Sequence, residues 1–306
     1  MSGAQFVENF LQALIAGLLT GSIYGLMCVG LSLIFGVMRV INFAHGDFMM
    51  LGMYVAYYAF GMLGIHAVFG ATLGPYVAAL IAGPVIFLAG VLVHRLLIGK
   101  VTGMRGSALQ SEGHYAQLIL TLGLALILQN GGLYLFGSTP VSISTPLASS
   151  AWALGPLYGD RIEVFVNQGQ TVAAAIAVVV VLAFVMVMSR SRLGKSLRAA
   201  ADNPEAATYM GIDVAQSHRL AFGFGVAITA IGGGLLASGT SFQPYVGLEY
   251  VIVMYAGVVL GGLGSVSGAF LGGLTIGLVQ QTSTLFLPNQ LQNTAIFVVF
   301  LFIVLL

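Results

Sequence analysis

Residues 171–188 read TVAAAIAVVVVLAFVMVM and contain no charged side chain. A helix that crosses a membrane needs about 20 mainly apolar residues, so this stretch has the composition of a spanning helix. Charged residues divide the whole chain into long uncharged stretches, of which this one is part: 9–38, 48–94, 113–159, 164–189, 220–248 and 250–306. These stretches predict about eight or nine membrane segments. The expected fold class is an all-α polytopic membrane protein with a single transmembrane domain, residues 1–306.

The overall composition excludes an ordinary soluble domain. Only 6% of the 306 residues are charged, 58% are hydrophobic and the mean hydropathy is +1.01, whereas about 25% of a soluble domain is charged. The net charge of +1 gives no basic surface for nucleic acid. The single cysteine, Cys28, allows no intrachain disulfide, and we expect no metal site. The N-terminus begins without a basic region, so we expect the first helix to be retained.

The basic residues predict the orientation in the membrane. Nine of the ten Lys and Arg fall on one side, and only Arg161 falls on the other. Basic loops stay in the cytoplasm, so this side is predicted to be cytoplasmic. The chain is then a multi-pass protein of the cytoplasmic (inner) membrane. Residues 190–218 form its main cytoplasmic loop, and residues 138–169 form its extracytoplasmic loop.

Glycine is abundant within and between the apolar stretches, with 42 in the chain. Gly261, Gly262 and Gly264 predict a structural hairpin, and further breaks are expected at residues 64–70 and 288–290. Glycine allows helices to pack closely in lipid. It also permits broken or re-entrant helices where the backbone lines a cavity, and both interpretations stay open. We find no clean internal repeat in the sequence.

The cytoplasmic loop predicts two short helices, at residues 195–201 and 204–210. Asn203 is a favourable N-cap and Pro204 suits the first helical position. Glu205 complements the positive N-terminal end, and Gly211 suits the left-handed residue after the last turn. The loop is longer than a simple connection requires. The residues alone leave two readings open, a surface that docks a cytoplasmic partner and a loop that packs on its own bundle.

Polar residues within apolar stretches are the candidates for a translocation path or gate. Asn42, His45 and Asp47 follow the first apolar stretch, and Gln129 and Asn130 lie inside a later one. The first group forms either a loop at the cytoplasmic interface or part of a broken helix that lines a path. The amides either join helices or line the path. Gln280 and Gln281, late in an apolar stretch, have the same two interpretations. Glu249 is expected at the outer mouth, either as a receptor contact or as a solvated end.

Several motifs resemble permeases of branched-chain amino acid ABC importers, specifically those of the LivH type. They are RLGKSLRA (192–199), NPEAA (203–207), MGI (210–212), RVINFAHGDF (39–48), GSIYGL (21–26), GLSLIFG (30–36) and VVLGGLGS (258–265). Their order agrees with the family along nearly the whole chain. Relatives usually continue with a basic tail, so we expect the native chain to extend beyond Leu306.

The resemblance implies a subunit without catalytic residues or cofactors of its own. A second homologous permease would complete the path, a periplasmic binding protein would deliver the solute, and two ABC ATPase subunits would bind ATP and Mg. The coupling loop to those ATPases would comprise Leu193, Gly194, Lys195, Leu197, Arg198, Asn203, Pro204, Glu205, Ala206, Ala207, Met210, Gly211 and Ile212.

Two alternatives remain at this point. The same importer architecture could carry urea or short amides in place of neutral amino acids. A protein of another class, an ATP-independent secondary transporter or channel, would need charged residues inside the membrane segments, which are scarce here. A membrane-embedded enzyme would need clustered His, Asp, Glu or Cys, which the sequence does not show.

Overall fold

The computed structural model describes residues 3–102, 110–157, 162–288 and 291–305. Its helices are α1 (Gly3–Met38), α2 (His45–Met62), α3 (Ile65–Val93), α4 (Gly99–Thr102), α5 (Gln110–Phe136), α6 (Gln168–Arg190), α7 (Arg192–Asp202), α8 (Pro204–Tyr209), α9 (Val214–Ala237), α10 (Val246–Gly261), α11 (Val266–Ser283) and α12 (Gln292–Leu305). A π-helical turn, His94–Ile98, joins α3 to α4. Two strands, β1 (Ala151–Leu157) and β2 (Ile162–Asn167), lie between α5 and α6.

The predicted class, an all-α polytopic membrane protein, is confirmed. Within the described ranges, nine helices have 14 or more residues, namely all except α4, α7 and α8. Five segments are long and apolar enough to cross a membrane by length and composition: Gln5–Met38, Ile65–Ile98, Ala116–Phe136, Gln168–Arg190 and Val214–Ala237. The helices α2, α10, α11 and α12 are shorter, at 14 to 18 residues.

The two ends of the bundle differ in character. The basic end carries Arg39 after α1, Arg95 after α3 and the loop that contains α7 and α8. The opposite end, called the loop end here, carries residues 137–167, where β1 pairs antiparallel with β2. The sequence had not predicted these strands. Arg105 and Arg161 lie outside the described residues.

Close glycine contacts hold the long helices in antiparallel pairs. In α1, Cβ positions built on Gly17 and Gly21 would lie 2.9 Å from the Cα atoms of Leu278 and Leu274 of α11. In α9, a Cβ on Gly234 would lie 2.8 Å from Ala79 of α3. Such contacts leave no room for side chains, so many glycines serve close helix packing.

The connection from α1 to α2 turns back into the bundle. Arg39 has a positive φ of 54° and ends α1 at the basic end. His45, at the start of α2, nevertheless bonds Thr229 of α9, whose hydroxyl also donates to the carbonyl of Met27. Met27 lies eleven residues before the end of α1, which is about 16 Å along the helix. Helix α2 therefore starts deep within the bundle and runs towards the loop end.

The connection from α9 to α10 also turns back into the bundle, but it does so from the loop end. Phe242 packs against Tyr54, with ring centroids 5.0 Å apart. A Cβ on Gly132 of α5 would lie 3.5 Å from Pro244, and Gly247 of α10 lies against Gly46 of α2. Since α10 is antiparallel to α11, and α11 to α1, α10 runs towards the basic end. Helices α2 and α10 thus start at the same depth and run in opposite directions.

These two connections reveal an internal repeat of inverted orientation, which corrects the reading that the sequence lacks one. The series α1–α2–α3 and the series α9–α10–α11 have the same layout. Each consists of a long helix, an extended return segment, a shorter helix, a tight turn and another helix. The two shorter helices share a glycine followed seven residues later by Met-Tyr, at Gly46 with Met53-Tyr54 and Gly247 with Met254-Tyr255. The remaining positions have diverged, so the repeat is weak in sequence.

Candidate functional site

The N-termini of α2 and α10 meet inside the bundle at a place that we call the junction. Gly46 and Gly247 form its centre, and a Cβ on Gly247 would lie 2.7 Å from the carbonyl carbon of Gly46. The first N–H groups of each helix lack intrahelical acceptors, and each helix start carries about half a positive charge. Two positive helix ends therefore meet within the bundle.

The polar motif before α2 supplies the side chains of the junction. Asn42 and His45 are completely buried, and Asp47 is 1% exposed. The side-chain oxygen of Asn42 accepts from the backbone N–H of Ala44 at 3.2 Å, which shapes the entry into α2. The motif therefore lies buried within the bundle at the start of α2, and its role in a path or gate stays a prediction.

His45 is held by one side chain of α9. Its Nε2 lies 2.7 Å from the hydroxyl oxygen of Thr229. That hydroxyl also lies 3.1 Å from the carbonyl of Gly225 and 3.3 Å from the carbonyl of Met27, so it donates to the backbone of α9 and α1 as well as bonding the ring. The other ring nitrogen, Nδ1, is buried without a hydrogen-bond partner within the described residues. His45 therefore joins α2 to α9 and α1.

Asp47 lies in the first turn of α2, where a carboxylate offsets the positive helix end. The side-chain amide of Gln129 interacts with it. Its Oδ1 is buried, has no hydrogen-bond partner in the described part of the chain and lies against Gly247. Asn130, the neighbour of Gln129, is exposed and donates to the carbonyl of Leu126 in its own helix. Only Gln129 of this pair reaches the junction.

The loop that is predicted to be cytoplasmic forms two capped helices close to the predicted bounds. Ser191 caps α7 by accepting from the N–H of Gly194 at 3.0 Å, and Asn203 caps α8 by accepting from the N–H of Ala206 at 3.0 Å. Gly211 has φ +79° after the last turn of α8. Both caps and the glycine are local features, which is why the sequence revealed them.

One face of this loop packs on the bundle and the other is exposed. Gly194, Leu197 and Ala207 are buried, while Leu193 and Ile212 are half-buried. The remaining predicted coupling residues are exposed: Lys195, Arg198, Asn203, Pro204, Glu205, Ala206, Met210 and Gly211. The tip of the loop is apolar, because Tyr209 and Met210 are 87% and 82% exposed. A cavity of about 540 Å³ is lined by α7, by the ends of α1 and α6 and by the α10–α11 turn.

The glycine hairpin is a tight turn between α10 and α11. Gly262 and Gly264 have φ +92° and +87°, a region that disfavours residues with a side chain. Gly261 is in direct backbone contact with Gly268 of α11. The turn therefore requires glycine for conformation at two positions and for close approach at a third.

Gln280, the first of the two late amides, joins helices, which is one of the two interpretations of the sequence. Gln280 accepts from the hydroxyl of Tyr24 at 2.9 Å, and its amide donates to Asn293 at 3.1 Å. These bonds join α11 to α1 and to α12. Within the described ranges, no three His, Cys, Asp or Glu side chains come together in a way that could hold a metal ion.

A helical bundle with broken helices and a buried polar junction defines a polytopic membrane transport protein. Residues 13–306 match the family described as the permease component of the branched-chain amino acid transport system. The chain belongs to this family. No solved structure matches it.

The names of similar proteins agree with this assignment. The chain is 27% identical over 300 residues to the high-affinity branched-chain amino acid transport system permease protein LivH of Escherichia coli K12, covering 97% of this chain and 93% of the relative. It is 28% identical over 276 residues to the permease protein BraD of Pseudomonas aeruginosa, covering 90% and 86%. A probable LivH permease of Methanocaldococcus jannaschii is 26% identical over 272 residues, covering 86% and 78%.

Proposed function

We propose that this chain is a transmembrane permease subunit of an ATP-binding-cassette importer for branched-chain or other neutral amino acids. A second homologous permease completes the path, and a periplasmic binding protein delivers the amino acid. Two ATPase subunits bind ATP and Mg on the cytoplasmic side of the inner membrane. The family membership and the names of the relatives support the amino-acid substrate.

The exposed apolar tip of the cytoplasmic loop carries the proposal of an ATPase partner. Tyr209 and Met210 expose large apolar side chains to water next to the basic end of the bundle. Adjacent large apolar side chains are favoured where a second protein covers them. Buried Ala207 and Leu197 fix the loop to the bundle, so a force on the tip is transmitted to α9 and α1.

The junction supports a path or gate formed by Asn42, His45, Asp47 and Gln129. Broken helices whose N-termini meet at mid-depth bind solutes in several transporter folds. Polar groups at that depth are functional by default, because lipid cannot satisfy them. Asn130 lies on the same helix as Gln129 and faces outward, where a second permease would approach.

The test is co-expression of this chain with the second permease and the ATPase subunits, followed by reconstitution into proteoliposomes with the binding protein. We expect ATP-dependent uptake of radiolabelled L-leucine. Replacing both Tyr209 and Met210 by Ala should release the ATPase subunits during purification and abolish uptake. The matched control is Trp152→Ala, which removes an exposed aromatic ring, 49% exposed, from the opposite end of the bundle.

The same assay separates the alternatives. ATP-dependent uptake of urea or acetamide without leucine uptake would assign the importer to amides. Leucine uptake by the chain alone, without ATPase subunits, would contradict the importer and identify a secondary transporter or channel.

A further inference from the structure

The cavity at the basic end of the bundle lies between the last turns of two long helices. Helix α6 packs on α1, and the ends of both helices border a space of about 540 Å³. Helix α7 and the α10–α11 turn form its remaining walls. Ligand sites measure about 300–1,000 Å³, so a small molecule or part of a lipid fits here. The described lining contains no residue of the junction, so the cavity is a separate feature of the molecule.

The ends of the spanning helices fix the depth of this cavity in the membrane. The apolar run of α6 ends at Met188, and Arg190 and Arg192 follow, so this level is the boundary between hydrocarbon and water. The cavity is lined from Arg39, directly after α1, to Ser32, seven residues earlier. Seven helical residues span about 10 Å. The cavity therefore extends from the headgroup layer into the adjoining hydrocarbon.

The inner wall of the cavity is apolar and continues onto the outer surface of α6. Leu33 and Val37 of α1 line the cavity and are buried. Val185 of α6 also lines it but is exposed, and so is Leu182, one turn earlier on the same face of this spanning helix. An acyl chain of a membrane lipid can therefore reach the inner wall along an apolar surface.

The mouth of the cavity carries three exposed charged side chains. They are Arg39 at the end of α1, and Arg198 and Asp202 on α7. Arg198 and Asp202 are four residues apart, so they lie on one face of α7, about one turn from each other. Arg198 donates to the carbonyl of Ser189 at 3.4 Å. Within the described ranges, the side chains of Arg39 and Asp202 have no hydrogen bond or ion pair, so they are available to a ligand.

The backbone conformation of Arg39 shows that its side chain matters here. Among the described residues, Arg39 is the only one other than glycine with a positive φ, at 54°. Its N–H donates to the carbonyl of Phe35 at 2.8 Å and closes the last turn of α1. This conformation is unfavourable for residues with a side chain, and glycine commonly occupies it at helix ends. An arginine at this position is therefore explained by what its guanidinium binds and not by the turn that it forms.

We propose that this cavity binds a membrane phospholipid that carries a phosphate and a primary ammonium group, the chemistry of phosphatidylethanolamine. The phosphate contacts Arg39 and Arg198, because guanidinium groups form paired hydrogen bonds with phosphate. The ethanolamine linker is short, so the ammonium group reaches Asp202, one helical turn from Arg198. An acyl chain lies along Leu33 and Val37. Basic pockets between spanning helices bind lipid headgroups in the same way.

The bound lipid would join α7, which carries the predicted coupling residues, to the ends of α1 and α6. This inference does not depend on the partners of the proposed importer, because every residue of the site belongs to this chain. It can therefore be tested on the purified chain alone.

Native mass spectrometry of the full chain in detergent, titrated with dioleoyl phospholipids, tests the site. We expect tighter binding of phosphatidylethanolamine than of phosphatidylglycerol or phosphatidylcholine. Arg39→Gly should weaken this binding about tenfold, because it removes a charged hydrogen-bond donor while glycine suits the left-handed backbone. The matched control is Arg95→Ala, which removes an exposed arginine from the same end of the bundle outside the cavity. Equal losses in the two variants would show unspecific binding to the basic end and overturn the proposal.

Headgroup recognition is tested by Asp202→Asn, an exposed substitution that leaves both arginines in place. We expect this variant to bind phosphatidylglycerol at least as tightly as phosphatidylethanolamine, because the contact with the ammonium group is lost. An unchanged preference for phosphatidylethanolamine would contradict the role of Asp202. Leucine also combines an anionic, an ammonium and an apolar group, so displacement of the bound lipid by excess L-leucine would assign the cavity to a free amino acid and overturn the lipid proposal.

Discussion

Replacing Gly46 by Ala tests whether α2 and α10 meet in the way described. A Cβ at position 46 would overlap the carbonyl oxygen of Gly247, lie 2.8 Å from its carbonyl carbon and lie 3.0 Å from the Cβ of Val251. The nearest atoms belong to backbone, which cannot rotate away. Overpacking of this kind costs typically 1–3 kcal/mol, and we take about 3 kcal/mol because the clash is with a helix backbone. The better helix propensity of Ala returns about 1 kcal/mol, so the expected net loss is about 2 kcal/mol.

Gly61 provides the matched control in the same helix. A Cβ built there meets nothing within 4 Å, so Gly61→Ala gains helix propensity without a clash and should stabilise by up to about 1 kcal/mol. The measurement is reversible unfolding of the purified chain in mixed micelles by SDS titration, followed by far-UV circular dichroism. The free energies of unfolding of the two variants should differ by about 3 kcal/mol, the sum of the two effects.

The two variants together test whether Gly46 and Gly247 are in contact. If Gly46→Ala unfolds at the same SDS concentration as the native chain, the two helix starts are not in contact and the junction is wrong. If Gly61→Ala loses as much stability as Gly46→Ala, the effect belongs to glycine in this helix in general and not to the contact with Gly247.

Three further predictions use the same preparations. Thr229→Val removes the hydroxyl that bonds Nε2 of His45 and the carbonyls of Gly225 and Met27. It should cost about 1–3 kcal/mol in the SDS titration, while Thr229→Ser should retain nearly full stability. Asn203→Ala removes the cap of α8 at a cost of about 1 kcal/mol, and hydrogen exchange of residues 204–210 should accelerate about fivefold, with exchange in α6 unchanged. Ala207→Phe should displace α8 and uncouple transport, so that ATP hydrolysis continues while leucine uptake falls at least tenfold; normal uptake with normal substrate-stimulated hydrolysis would refute the coupling role of this loop.

The elements that could be predicted from the sequence are those with local causes. The helix α8 is bounded by Asn203, which caps it, and by Gly211, which ends it in the left-handed conformation. The turn after α10 follows from Gly262 and Gly264 in the same way. In each case the residue that determines the structure lies within the segment, so composition and spacing were sufficient.

The junction depends on contacts between distant parts of the chain and could not be predicted in this way. Thr229 is 184 residues from His45, and Gly247 is 201 residues from Gly46. Neither pair has a local signal that indicates its partner. The sequence gives one indication that α2 and α10 correspond, namely that Gly46 and Gly247 are each followed by Met-Tyr at the same spacing. This spacing becomes significant only once the structure shows that the two helices occupy equivalent places.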